Sequence, residues 1–318
     1  MQKRLETLLN SPVSYVAYNA ALLLNSETGS SLKRRMEHDA RVLALIAELQ
    51  DWPGPQISSH KSAHQFFHKL AFLADIGIDT QTEGIQEIAH KILSIVDKDQ
   101  IPCLYAIVHH AAGDSGSLER AWALCDAPTT LYALTKMGIK DERIDAAVSK
   151  LAEKIEAFGY GCHVSASLGN WRGPGKKDEP CPYATLIMLK LLNLYPDRFN
   201  EGITICCDSL LNVWEHSQTK HPYMFYMGTD FRKLKVPYIW YDIMHVVEVL
   251  SQAEKYQDDR RLNEMYEIIK KKETEHGFIP ESVYMPWKEW DFGQKKTVSD
   301  WLTLCILKIE RRLTPVLT

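Results

Sequence analysis

Three groups of residues in this sequence could do chemistry. The first combines cations and aromatic rings that stand just before expected helix starts. Arg172, Lys176, Lys177, Arg232, Lys233, Lys235, Lys295 and Lys296 supply the charge. Trp171, Tyr183, Tyr238, Trp240, Tyr241, Trp287, Trp290 and Trp301 supply the rings. A helix N-terminus carries partial positive charge and free N–H groups, so it attracts anions. Such a set could hold a diphosphate or carboxylate above an aromatic wall. That wall would suit an isoprenoid tail, or stabilise a carbocation by cation–π attraction. The plainer alternative is solvated lysines beside tryptophans that only pack helices. The second group is carboxylic: Asp126, Asp230, Asp242, Glu281, Glu289, Asp291 and Asp300. Glycosidic bond cleavage needs two carboxyls roughly 5–10 Å apart, and spacing alone does not pair these. Asp126 and Asp242 are the leading candidates, with His245 as a third catalytic residue. Solvated or helix-capping carboxylates are the alternative. The third group is His109-His110. Either ring is a candidate general base near neutral pH, although adjacent helical residues point apart and cannot easily share one ion.

These residues need elements to hold them. A pattern recurs along the chain: an apolar helix, a short turn, a charged amphipathic helix, then a long connector. Residues 68–77 precede 84–96, 130–138 precede 143–158, 183–196 precede 201–216, and 241–256 precede 261–276. A last unit begins at 300–313, and 13–25 with 35–50 make one more pair. The first helix of each pair is apolar nearly all round, as in ATLIMLKLL and WLTLCILKI. The second carries a stripe, as with Ile144, Ala147, Leu151, Ile155 and Phe158. Helices apolar all round are buried, and striped ones lie at the surface. An inner ring and an outer ring follow. The connectors 97–127, 159–182, 217–239 and 277–299 then emerge on one face, over the starts of the inner helices. Loops this long are uncommon unless functional, so that face is the expected site. The connector 97–127 could hide a further helix around 101–112. GNWRGPGKK (169–177) reads as a lid or a turn.

Composition narrows the classes. The chain has 318 residues, 45% hydrophobic and 25% charged, with a net charge of −4. No basic excess points to nucleic acid. No uninterrupted apolar run of about 18 residues points to a membrane span. The apolar stretch 13–24 is broken by Tyr18 and Asn19 and reads as a helix rather than a signal peptide. Seven cysteines, an odd number with Cys206 and Cys207 adjacent, suit a reduced cytoplasmic protein. There is no phosphate-binding loop, dinucleotide fingerprint or nucleophile elbow.

The segments GYGCHVSASLGNW and CPYATLIMLKLL within 159–192, and HGFIPESVYMPWKEWDFGQKKTVSDWLTL at 276–304, share one scheme. A glycine–aromatic turn and a tryptophan precede an apolar helix. The scheme resembles the α/α toroid superfamily of terpenoid cyclases and protein prenyltransferase β subunits, and loosely the Gln-Trp repeat of triterpene cyclases. The resemblance implies an all-α fold: one α/α toroid domain over residues 1–318, closed by five or six helical hairpins. It implies a prenyltransferase- or cyclase-like protein with an isoprenoid-like or amphiphilic anionic small molecule in a central cavity. The expected ligand-binding residues are Trp171, Arg172, Tyr183, Arg232, Trp240, Tyr241, Trp287, Trp290 and Lys295. Prenyltransferases hold zinc through an Asp, a Cys and a His at inner-helix starts. Cys181, Asp178 and His245 are the corresponding set here, with Cys162-His163 as rival ligands. Thiolate, carboxylate and imidazole form a reasonable zinc set, but the family's Asp-x-Cys is missing. The cyclase motif Asp-x-Asp-Asp is also missing, since 124–130 holds only Asp126. Asp-rich diphosphate motifs are absent too. A non-catalytic interaction scaffold with a protein partner, or a carbohydrate-active enzyme of the (α/α)6 barrel kind, are the alternative readings.

Overall fold

The computed structural model describes residues 1–108, 116–169, 179–222 and 224–314. Among them are thirteen α-helices and one small antiparallel sheet. The chain divides into two compact units. One comprises Met1–Leu45, Asp75–Ile78 and Met227–Thr318, and the other Ile46–Ala74 and Asp79–Tyr226. No helix among the described residues is long and apolar enough to cross a membrane.

In the first unit, α1 (Gln2–Leu9) and α2 (Ser14–Leu24) open the chain and α3 (Gly29–Glu37) follows. The sequence pattern expects one helix over 35–50. Instead the chain breaks after α3 and restarts as α4 (Ala40–Leu49). Asp39 makes the break. Its Oδ1 accepts the Arg41 N–H at 3.0 Å and its Oδ2 accepts the Ser14 hydroxyl at 2.7 Å. A short carboxylate that bonds the backbone two residues on competes with the helix ladder. Later in this unit come α11 (Ile243–Leu250), α12 (Arg260–Lys270) and α13 (Asp300–Leu313). Helix α13 packs on α1, α2 and α11, so the last helix meets the first two. Asn19 ties this packing. It accepts the Lys308 ammonium at 2.7 Å and donates to the Ile76 carbonyl at 2.7 Å.

In the second unit, α5 (Phe66–Ile76) begins and α6 (Ile85–Ser94) follows. Then come α7 (Ala127–Lys136), α8 (Glu142–Ala152), α9 (Pro182–Leu192) and α10 (Asn200–His216). Helices α7 and α9 pack together, with α8 against α7 and α10 against α9. All eleven residues of α9 are buried, as are seven of the eight in α11. Helix α8 buries only the stripe Ile144, Ala147, Val148 and Leu151. Buried helices backed by striped ones therefore recur in both units. Helix α8 ends at Ala152, short of the expected 158, because the chain turns there to bridge Glu156 with Gly159.

The connector 97–127 corrects one expectation. No helix forms over 101–108. That stretch instead contributes β1 (Leu104–Val108), which pairs antiparallel with β2 (Ser117–Ala121) in the register Leu104↔Ala121 to Val108↔Ser117. Aromatic and β-branched residues in LYAIV favour a pleated strand. The Ile57 N–H adds a bond to the Tyr105 carbonyl at 2.8 Å. Residues 109–112 of the expected helix lie outside the described residues.

The repeat seen in the sequence is a repeat of bonds. In the second unit, Gly159 takes a positive φ of 106° and bridges Glu156. Tyr160 donates its N–H to the Thr185 hydroxyl at 3.0 Å, and its carbonyl accepts the Cys181 N–H at 2.7 Å. In the first unit, Gly277 has φ 135° and bridges Thr274. Phe278 donates to the Thr303 hydroxyl at 3.0 Å, and its carbonyl accepts the Ser299 N–H at 2.9 Å. Every partner recurs 118 positions later. Each glycine fits twice over. A side chain would strain its φ, and a Cβ on Gly277 would lie 2.5 Å from Thr303 Oγ1. Each threonine satisfies a buried backbone N–H. Thr303→Val should therefore cost about 1–3 kcal/mol in urea unfolding, and Thr303→Ser clearly less. Equal losses in the two variants would remove the hydroxyl from this account.

Candidate functional site

Four buried helices begin on polar residues. Asp126, Cys181, Asp242 and Ser299 are the N-caps of α7, α9, α11 and α13. The first turn of a helix leaves four N–H groups without helical partners, so a side-chain acceptor there is favoured. Ser299 behaves this way, accepting the Leu302 N–H at 3.1 Å. So does Asp242, whose Oδ1 accepts the His245 N–H at 3.0 Å. Capping alone does not account for Asp242. The residue is 1% exposed, and its second oxygen, Oδ2, has no hydrogen-bond partner. Burial lifts its carboxyl from the ordinary range to about 7, against the pull of the His245 N–H and the Lys235 charge. A carboxyl of that kind can hold or release a proton near neutral pH.

The surroundings of Asp242 are aromatic and charged. His245, also buried, donates from Nδ1 to the Trp240 carbonyl at 3.0 Å and stacks on Tyr238 at 5.1 Å. Tyr241 packs on Phe231 at 5.4 Å. The Tyr284 phenol is driven upward by burial and then by the charges of Asp242 and Asp230. Three of the expected cations are already engaged. Lys233 and Lys235 both bond Asp230, at 3.1 and 2.7 Å. Burial works against the Asp230 charge, but those two lysines outweigh it and hold the carboxyl below its usual range. Arg232 donates from Nε to the Met227 carbonyl at 3.3 Å. Lys295 is exposed.

The remaining ring residues of this unit pack on each other. Trp287 is buried and lies 5.5 Å from Trp290, which stacks on Phe292 at 6.1 Å and meets Tyr15 at 5.7 Å. Arg41 sits 5.4 Å from the Trp290 ring. Asp291 accepts from the Ser299 hydroxyl and the Trp301 N–H, at 2.6 and 2.9 Å. Burial raises its carboxyl despite those two donors.

The second unit holds a different group. Asp126 is buried, and its Oδ2 lies 2.8 Å from His60 Nε2. The Ala123 N–H also reaches both carboxylate oxygens, at 3.2 and 3.3 Å. A carboxylate held this way fixes the imidazole with its proton on Nε2, the arrangement that orients a general base. His60 carries no motif, and its partner lies 66 residues away, so no local signal could have found it. The backbone carbonyl of His60 accepts from His68 Nε2 at 2.8 Å. His68 is buried, and its Nδ1 has no partner. Burial drives this imidazole down to about 3, so it is neutral. Tyr183 is buried within α9.

Trp171, Arg172, Lys176, Lys177, Asp178, His109 and His110 lie outside the described residues. Among the described residues, no three Cys, His, Asp or Glu side chains are arranged to hold a metal ion. The zinc set of Cys181, Asp178 and His245 includes one residue outside that description. Cys181 belongs to the second unit and His245 to the first. In comparison with known proteins, the chain matches no protein-family model and no curated protein sequence.

Proposed function

We propose that this chain binds an isoprenoid-like or other amphiphilic anionic small molecule at the starts of its buried helices, and that Asp242 serves as its proton donor. The frame is the α/α toroid of prenyltransferases and terpenoid cyclases, which residues 159–192 and 276–304 resemble. One observation carries the reading. Asp242 keeps an unpartnered oxygen, fully buried, at a helix start among aromatic side chains, on a carboxyl that titrates near 7. Polar groups left without partners inside a protein cost free energy, and they cluster where function needs them. The helix start would favour the anionic head, and the rings Trp240, Tyr241 and Tyr284 would suit the apolar part.

Farnesyl or geranylgeranyl diphosphate should raise the melting temperature. At a hundredfold excess over the dissociation constant the stabilisation is about 2.7 kcal/mol. Asp242→Asn should keep that shift yet lose deuterium transfer from heavy water into the ligand. No shift with either diphosphate would defeat the reading and favour a non-catalytic scaffold.

A further inference from the structure

Seven cysteines are present and none is in a disulfide. Six are buried, and only Cys162 is partly open to solvent. Backbone contacts on two sides bring Cys162 beside two of the buried ones. The Cys181 N–H donates to the Tyr160 carbonyl at 2.7 Å, which fixes the start of α9 against the segment holding Cys162. One residue beyond Cys162, the His163 carbonyl accepts the Leu124 N–H at 3.0 Å, next to Cys125. Val164 then bridges Ala123. Between these backbone bonds the Cys181 thiol has Cys125 and Cys162 as hydrogen-bonding neighbours; Cys125, and then burial, push it up to about 12, against the pull of Cys162. The remaining four cysteines lie elsewhere in the fold. Cys103 follows the turn before β1, Cys206 and Cys207 lie in α10, and Cys305 lies in α13.

We propose that Cys162 and Cys181 are an oxidation site that a hydroperoxide closes into a disulfide. The open thiol reacts first. The Cys162 thiolate attacks one peroxide oxygen; the S–O bond forms, the O–O bond breaks, and hydroxide leaves to become water. Sulfur is oxidised to a sulfenic acid and the peroxide is reduced. The Cys181 thiol, which Cys125 and burial keep protonated, then attacks that sulfur and gives up its proton to the departing oxygen. The S–S bond forms, the S–O bond breaks, and a second hydroxide leaves and takes up that proton. Two thiols and one peroxide thus give one disulfide and two waters. Thiols in contact need only side-chain rotation to reach bonding distance, whereas a cysteine without a thiol neighbour stops at the sulfenic acid or goes further up the oxidation ladder. Cys125, the other thiol beside Cys181, can exchange into the bond. The bond would pin the 159–164 segment to the first turn of α9, where Thr185 already receives the Tyr160 N–H.

The test uses the full chain. Hydrogen peroxide is added in modest excess, free thiols are capped with N-ethylmaleimide, and the protein is digested without reductant. The expected product is a Cys162–Cys181 linked peptide that disappears on dithiothreitol treatment, with Cys103, Cys206, Cys207 and Cys305 fully alkylated once the protein is unfolded. Cys162→Ser should abolish the link, and Cys305→Ser should leave its yield unchanged. Mass spectra showing Cys162 as an unlinked sulfinic acid, or links that involve Cys103, Cys206, Cys207 or Cys305, would overturn the proposal. Should Cys162→Ser misfold, the wild-type linkage map decides the matter alone.

Discussion

Raising the pH from 5 to 8 should weaken the wild-type fold by about 3 kcal/mol through Asp242 alone, and Asp242→Asn should abolish most of that loss. The direction follows from the carboxyl's position near 7 in the folded chain, well above an unfolded aspartate. Between those two values the folded state binds a proton that the unfolded state has lost. The contribution is fully present below about pH 4 and is lost as pH rises through 7. Burial is the cause. The carboxylate would sit without water, with one oxygen bonded to the His245 N–H and the other unpartnered. Asparagine caps a helix about as well as aspartate, so the variant keeps the Oδ1 contact and removes only the titration. Urea unfolding at the two pH values measures the difference. An unchanged pH dependence in Asp242→Asn would contradict the assignment.

His68 should act in the opposite direction. Acidification from pH 7 to 4.5 should cost about 3 kcal/mol through this residue, and His68→Gln should lose less. The imidazole is held down to about 3 by burial, so the unfolded state binds the proton first. Its stabilising contribution is complete above about pH 6.5 and is lost as pH falls through 3. The geometry explains why the folded ring resists protonation. Nε2 already donates to the His60 carbonyl at 2.8 Å, and Nδ1 faces no partner that could accept from a second N–H. Glutamine can still donate to that carbonyl but cannot titrate. Its own packing cost at pH 7 is expected to be about 1–2 kcal/mol, so the informative quantity is the slope with pH. From about pH 4 to 6.5 the two residues pull against each other, and the wild-type profile should be flatter there than either variant's. A steeper acid loss in His68→Gln than in the wild type would rule out this role.

Local chemistry in the sequence located much of the helical framework. The apolar runs of α9 and α13 read as buried, and their apolar residues are. Asp242 can be read as a helix cap from the sequence because capping depends on one residue and the turn it begins. The glycine–aromatic turns at 159 and 277 were legible as a repeat because each uses the same residue types at the same offsets. What the sequence hid depends on distant partners. The helix break at Asp39 rests on Ser14, 25 positions earlier. His60 gains its meaning from Asp126. The cations at 233 and 235 looked available until Asp230 was found between them. The β-hairpin was missed because a five-residue apolar run suits a strand or a buried helix equally well. Cys162 and Cys181 both read as metal ligands, yet nothing in their spacing tells that Cys181 has Cys162 and Cys125 as neighbours.

The carboxyl of Asp242 can be watched directly by infrared spectroscopy. In a wild-type minus Asp242→Asn difference spectrum, the protonated C=O stretch should persist through pH 6 and vanish with a midpoint near 7. A band already gone by pH 5 would mean that the acid is ionised under working conditions, and the proton-donor reading of this site would fall with it.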